Sequence, residues 1–299
     1  MSVHPIVVGI DGSDSSTHAA RWAAVEALRR KLPLRLVHTY DIPLGYAPGV
    51  VSPHAVREGM REQGWEWLRA ARDAVAALAP DLDPELVVEH GPVTPFLIDQ
   101  SRQATMIVLG TRGLGGFAGL LVGSVSAALA GRAHSPVIVA RGTGERHIPP
   151  LDGDVVVGVD GTPAGEAAIA FGFEEAATRG CALYAVHTWT DTLLDAALAG
   201  DSSTLDFLPL QQQAYEILAE RLAGWQEKYP DVHVYREVVR DRPAPALLRY
   251  AERAALVVAG TRGRGGFRGL ILGSTSQHLL HHAPCPVAVV RTDQDQEDQ

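Results

Sequence analysis

The sequence predicts an α/β protein made of two tandem doubly wound domains, each built on a five-stranded parallel sheet. Three observations carry that expectation. First, the chain is written twice. "IVVGIDGS" at Ile6 to Ser13 returns as "VVVGVDGT" at Val155 to Thr162, and "LRLVHTY" at Leu34 to Tyr40 returns as "LYAVHTW" at Leu183 to Trp189, both 149 residues on. "GTRGLGGFAGLLVGS" at Gly110 to Ser124 returns as "GTRGRGGFRGLILGS" at Gly260 to Ser274, and "SPVIVAR" at Ser135 to Arg141 as "CPVAVVR" at Cys285 to Arg291, both 150 residues on. Second, each copy carries short apolar runs that are continuous rather than alternating, as suits strands buried on both faces of a parallel sheet. Third, longer segments of helical periodicity separate those runs.

In the first copy the elements follow in order. Ile6 to Ile10 is the first strand. "SSTHAARWAAVEALRRK" then places Ala19, Trp22, Ala23, Val25, Ala27 and Leu28 near one helical face, with its serines as N-cap candidates. Leu34 to Tyr40 is the second strand, and "HAVREGMREQGWEWLRAARDAVAAL" a longer helix. Leu86 to Glu89 is the third strand, followed by the helix "VTPFLIDQSRQ". Met106 to Gly110 is the fourth strand; the glycine loop leads from it into the helix "SVSAALAGRA" and the last strand, Val137 to Arg141. Right-handed crossovers put ligand sites at the carboxyl ends of the strands, where the strand order reverses.

A repeat far longer than the ~20–50 residues of a solenoid unit makes each copy a domain. The boundaries read as 1–143 and 153–292, with 144–152 as linker inside the Gly- and Pro-bearing stretch "GTGERHIPPLDGD". Residues 293–299 belong to an acidic, polar tail expected to be solvated and disordered. A formal charge of −9 argues against nucleic-acid binding through a broad basic face. Lysine occurs only at Lys31 and Lys228, so arginine supplies nearly all the positive charge. No run approaches the ~18 apolar residues of a membrane span, and no signal peptide is visible, so the expectation is a cytoplasmic protein. Cys181 and Cys285 show no zinc-site spacing and read as small buried hydrophobes in a reducing compartment.

The glycine loop is where chemistry is expected. A helix N-terminus offers unpaired N–H groups and the positive end of a dipole. Gly113, Gly115, Gly116 and Gly119 ahead of it would let successive N–H groups turn inward as an anion nest, with the hydroxyls of Ser124 and Ser126 adding hydrogen bonds. Gly123 before Ser124 replaces the lysine of a P-loop, and the loop follows the fourth strand rather than the first, where a dinucleotide fingerprint would sit. Asp11 and Asp160, at the end of the first strand of each copy, could accept from a ribose hydroxyl or an adenine amino group; the plainer reading is a helix cap. His38 and His187 read as hydrogen-bonded core residues. Arg112 and Arg262 could reach phosphate or pair across a surface. Trp22, Trp65, Trp67, Trp189 and Trp225 read as core rather than stacking platforms.

A GxxG followed by nine residues and G[S/T] after the fourth strand, with Asp at the end of the first, resembles the universal stress protein family. The motif is Gly110, Gly113, Gly123 and Ser124 in one copy and Gly260, Gly263, Gly273 and Ser274 in the other. The pattern is most similar to the tandem ATP-binding members of mycobacteria and related actinobacteria. The resemblance implies strand order 3-2-1-4-5, adenine contacts from Asp11 and Asp160 and from the backbone of Thr39 and Thr188, and ribose and phosphate contacts from the motif glycines and serines. Val125 and Thr275, next after those serines, join that set. It also implies pairing of the halves through the fifth strands, a homodimer, a protein partner of unknown identity, ATP as ligand, and Mg2+ as an ion that can accompany the phosphates. The expected function is an ATP-binding regulator of stress or dormancy responses, without catalytic residues: no Ser/His/Asp order, no paired carboxylates with a base, and no lysine near the phosphates. Two alternatives stand beside it. One is a slow ATPase or a phosphoryl or adenylyl transferase using Asp11 or His38; the other is an adaptor that binds other adenylates, such as AMP or cyclic AMP.

Overall fold

The computed structural model describes residues 3–41, 52–111, 113, 122–142, 149–189, 208–263 and 272–291. The chain divides into two units, Met1–Leu151 and Asp152–Gln299. In the first, the order is β1 (Ile6–Gly9), α1 (Asp14–Arg30), β2 (Leu34–Tyr40), α2 (Pro53–Ala76), β3 (Glu85–His90), α3 (Val93–Gln100), β4 (Met106–Gly110), α4 (Ser124–Arg132) and β5 (Val137–Ala140). All strands run parallel in the order β3-β2-β1-β4-β5.

The second unit repeats that architecture. It runs β6 (Asp154–Val159), one 3-10 turn (Pro163–Gly165), α5 (Glu166–Arg179), β7 (Leu183–Thr188), α6 (Leu208–Leu222), α7 (Trp225–Lys228), β8 (Val234–Val239), α8 (Pro243–Ala251), β9 (Ala254–Gly260), α9 (Ser274–His282) and β10 (Val287–Val290). Its order, β8-β7-β6-β9-β10, is again 3-2-1-4-5 and again parallel.

The continuous apolar runs are central strands buried from both sides. Ile6, Val7, Val8, Met106, Ile107 and Val108 are fully buried, as are Val155, Val157, Leu256, Val257 and Val258 in the second unit. β3 and β8, at the sheet edges, are the strands with exposed residues in their interiors. Helix α1 begins one residue before the "SSTH" stretch. Its cap is Ser13, whose side chain accepts from the backbone N–H of Ser16, while Ser15 and Ser16 fall inside the first turn. Ser52 caps α2 in the same way, accepting from Ala55 N–H at 3.2 Å, with Pro53 at the first helical position, where its missing N–H costs nothing.

Parallel strands on either side of β1 and β4 are reached by crossovers in opposite directions, so the order reverses between these two strands. A reversal of this kind leaves a crevice at the carboxyl ends of the strands, the place where open α/β sheets take ligands. The equivalent crevice in the second unit lies between β6 and β9.

Candidate functional site

Each crevice is built from the turn after the first strand, the end of the second, and the loop after the fourth. Asp11 follows β1. Its Oδ1 accepts from the backbone N–H of Ser13 at 3.1 Å and from the Ser13 hydroxyl at 2.6 Å. Asp160 repeats the turn, accepting from Thr162 N–H at 2.8 Å and from its hydroxyl at 2.9 Å. The aspartates therefore shape the turn, while the helix cap falls to Ser13. This tight turn puts Gly12 at φ 84° and Gly161 at φ 78°, a conformation that side chains with a Cβ disfavour.

The other carboxylate oxygen of Asp11 lies against Gly113, so close that a Cβ there would collide with it. In the second unit a Cβ on Gly263 would come within 3.4 Å of Asp160 Oδ2. Residues 102 positions apart in the first copy are thus brought into contact by the β1/β4 pairing. Gly110 has a different reason. A Cβ there would sit 2.5 Å from Ser15 Oγ and 2.7 Å from the Ser15 carbonyl carbon, because the first turn of α1 packs onto the end of β4. Ser15 Oγ also accepts Thr111 N–H at 2.8 Å. Nothing in the spacing of the repeated motif signals Ser15, and the second copy has Ala164 in its place.

The loop re-enters regular structure at Gly123 and Gly273. Gly123 N–H donates to Thr111 carbonyl at 2.9 Å, and Gly273 N–H to Thr261 carbonyl at 2.6 Å, pinning each helix start to the end of the fourth strand. Both helices begin without a side-chain cap, so the first-turn N–H groups of α4 and α9 have no side-chain acceptor from their N-cap residues. Ser124 and Ser274, at those helix starts, are exposed; Val125 and Thr275 are half-buried. Ser126 was expected to point its hydroxyl at the ligand. Instead it donates to Gly110 carbonyl at 3.2 Å, and Ser276 to Gly260 carbonyl at 2.5 Å, so both hydroxyls serve the fold.

His38 and His187 are buried, and each donates from Nδ1 to the carbonyl one residue before the site aspartate: Ile10 at 2.7 Å and Val159 at 2.6 Å. A carbonyl only accepts, so Nδ1 carries the proton and the imidazole fixes the direction of the chain entering the turn. Thr39 and Thr188 follow on the same strands, half-buried at the strand ends and paired in register with Glu89 and Val239. Trp22 is core, as expected, at 2% exposure. Trp67 is not: its indole lies against Gly12 and meets the His38 ring edge-on at 5.1 Å, placing it beside the crevice. Arg262 is half-buried next to Gly263. Arg112, Gly115, Gly116 and Gly119 lie outside the described residues, as does the tail from 292 onward. A separate open groove of about 610 Å3 between α3 and α4 includes Ser124 but no residue of β1 or β2.

Comparison with known proteins accounts for the repeated geometry. The model of the universal stress protein family matches residues 2–141 and again 153–291. The chain belongs to the universal stress protein family. Two universal stress proteins of Mycobacterium tuberculosis H37Rv are similar along nearly the whole length. One is 42% identical over 292 residues, covering 96% of this chain and 97% of the relative. The other is 38% identical over 289 residues, covering 96% of each. The crystal structure of a universal stress protein from Archaeoglobus fulgidus matches with a TM-score of 0.68 at 20% identity, over 97% of this chain and 99% of that one, a likeness of fold. Among the described residues, no helix of this universal stress protein is long and apolar enough to cross a membrane.

Proposed function

We propose that each unit binds one adenine nucleotide, ATP in the first instance, and that occupancy regulates contact with a protein partner in a stress or dormancy response. The observation that supports this reading most directly is the pair of helix starts at Gly123 and Gly273. Each is uncapped by a side chain and held at the end of the fourth strand, within reach of a turn that carries an aspartate. Backbone N–H groups and the positive dipole end suit phosphate, and a carboxylate suits the donor edge of a purine or ribose.

The proposed roles follow from position. Gly110, Gly113, Gly123, Ser124 and Val125 take ribose and phosphates; Asp11 and the Thr39 backbone take the base. Gly260, Gly263, Gly273, Ser274, Thr275, Asp160 and Thr188 do the same in the second unit. Mg2+ would accompany the phosphates, and a homodimer is the proposed assembly. Among the described residues no group of three or more His, Cys, Asp or Glu could hold a metal ion.

The test is ATP titration of the double variant Gly113→Ala, Gly263→Ala by calorimetry. A methyl group added at Gly113 collides with the Asp11 carboxylate, and one at Gly263 reaches van der Waals contact with that of Asp160; the expected result is at least about a tenfold loss of affinity at the first site, ~1.4 kcal/mol or more, with the circular dichroism spectrum unchanged. Wild-type affinity in this variant would overturn the site assignment.

A further inference from the structure

The last two turns of α9 carry a histidine group that the nucleotide reading does not use. His278, His281 and His282 occupy a nine-residue helix, and the first copy has Ala128, Gly131 and Arg132 at the corresponding positions. His278 and His282 are spaced i, i+4, so they share a helix face; both are exposed, and their ring centroids lie 4.4 Å apart at an interplanar angle of 40°. His281 is half-buried, with its ring 6.2 Å from that of His282.

We propose that His278 and His282 form a bidentate site for a borderline transition-metal ion such as Zn2+. Imidazole nitrogen is a preferred ligand of Zn2+, Ni2+ and Cu2+, and two histidines one helical turn apart are a recurrent way of presenting a pair of such nitrogens. With Zn–N bonds of about 2.0–2.1 Å, two imidazoles on one ion bring their centroids to roughly 4.5–5.5 Å, close to the 4.4 Å that separates these rings. Water completes the coordination, since no third ligating side chain is grouped with them among the described residues. The helix C-terminus adds favourable potential for a cation. Arg132 supplies that charge at the same place in the first copy, so the fold asks for a cation at this helix end and not for a pair of imidazoles. The ion would tie down the C-terminal end of the helix whose other end starts at Gly273.

The experiment is calorimetric titration of the metal-free, nucleotide-free full-length chain with ZnSO4. The expected result is one Zn2+ per chain, weakened at least about tenfold in His278→Gln and in His282→Gln, and retained in His281→Gln. These side chains are exposed or at the edge of burial, and circular dichroism of each variant checks that the fold is kept. Absence of Zn2+ binding up to millimolar concentration, or binding that survives both substitutions, would overturn the proposal. Because no nucleotide is present, neither result depends on the adenylate reading.

Discussion

Ser135 and Cys285 occupy the same position in the two copies, just ahead of the last strand. Ser135 Oγ is buried without a hydrogen-bond partner among the described residues, whereas Cys285, 1% exposed, fills the position with a group that tolerates an apolar setting. Burial pushes the Cys285 thiol up to about 12, so it stays neutral and inert at physiological pH. An unpartnered buried hydroxyl costs about 1–3 kcal/mol. The substitution Ser135→Cys is therefore expected to stabilise the first unit by about 1 kcal/mol in urea unfolding; a lower midpoint would show that the hydroxyl has a partner after all. At this scale the sequence marked the glycines and aspartates because they recur. It could not separate ligand-facing from structural hydroxyls: Ser124 and Ser126 look alike in sequence, and only the course of the chain turns Ser126 back onto Gly110. Trp67 was misread for the same reason, since helical periodicity gives a face but not what that face meets.

Helix ends show the same division among elements. The residue that caps the C-terminus of α1 is Lys31 at φ 53°, and the one that caps α5 is Gly180 at φ 65°. Both close the helix in the left-handed conformation, which glycine adopts without the steric cost a Cβ imposes. Lys31→Gly is expected to raise stability by about 0.5–1 kcal/mol, read as a higher thermal midpoint; a fall would mean that the lysine side chain contributes more than its backbone costs. The longest helix of the first unit, α2, runs unbroken for 24 residues, while its counterpart stops at Leu222 and resumes as α7. Gly224, at φ 81°, makes that break where the first copy has Ala74. Strands and helices were legible because burial on two faces and on one face leave different periodicities. The buried pairs Glu26–Arg30 and Glu175–Arg179, at 2.9 Å each, were not: an i, i+4 charge pair reads as a solvated surface feature until packing shows both partners enclosed.

For the molecule as a whole, duplication gave two crevices of one design with different rims. Beyond the Thr39 position, Tyr40 meets His90 edge-on at 5.4 Å; the same places in the second unit hold Trp189 with the Arg240 guanidinium 5.6 Å from its ring. Trp67 beside the first crevice corresponds to Ile217 in the second. The shared parts, glycines, aspartates and uncapped helix starts, are those the proposed nucleotide needs, and the differing parts are those that would tune its affinity. The central claim is one adenine nucleotide per unit, and the most direct measurement is native mass spectrometry of the nucleotide-free chain titrated with ATP, paired with thermal unfolding. The account predicts chains carrying one and then two nucleotides, with ~2.7 kcal/mol of stabilisation per site at a hundred times the dissociation constant. Chains that stay nucleotide-free at millimolar ATP, with no change in melting temperature, would contradict it.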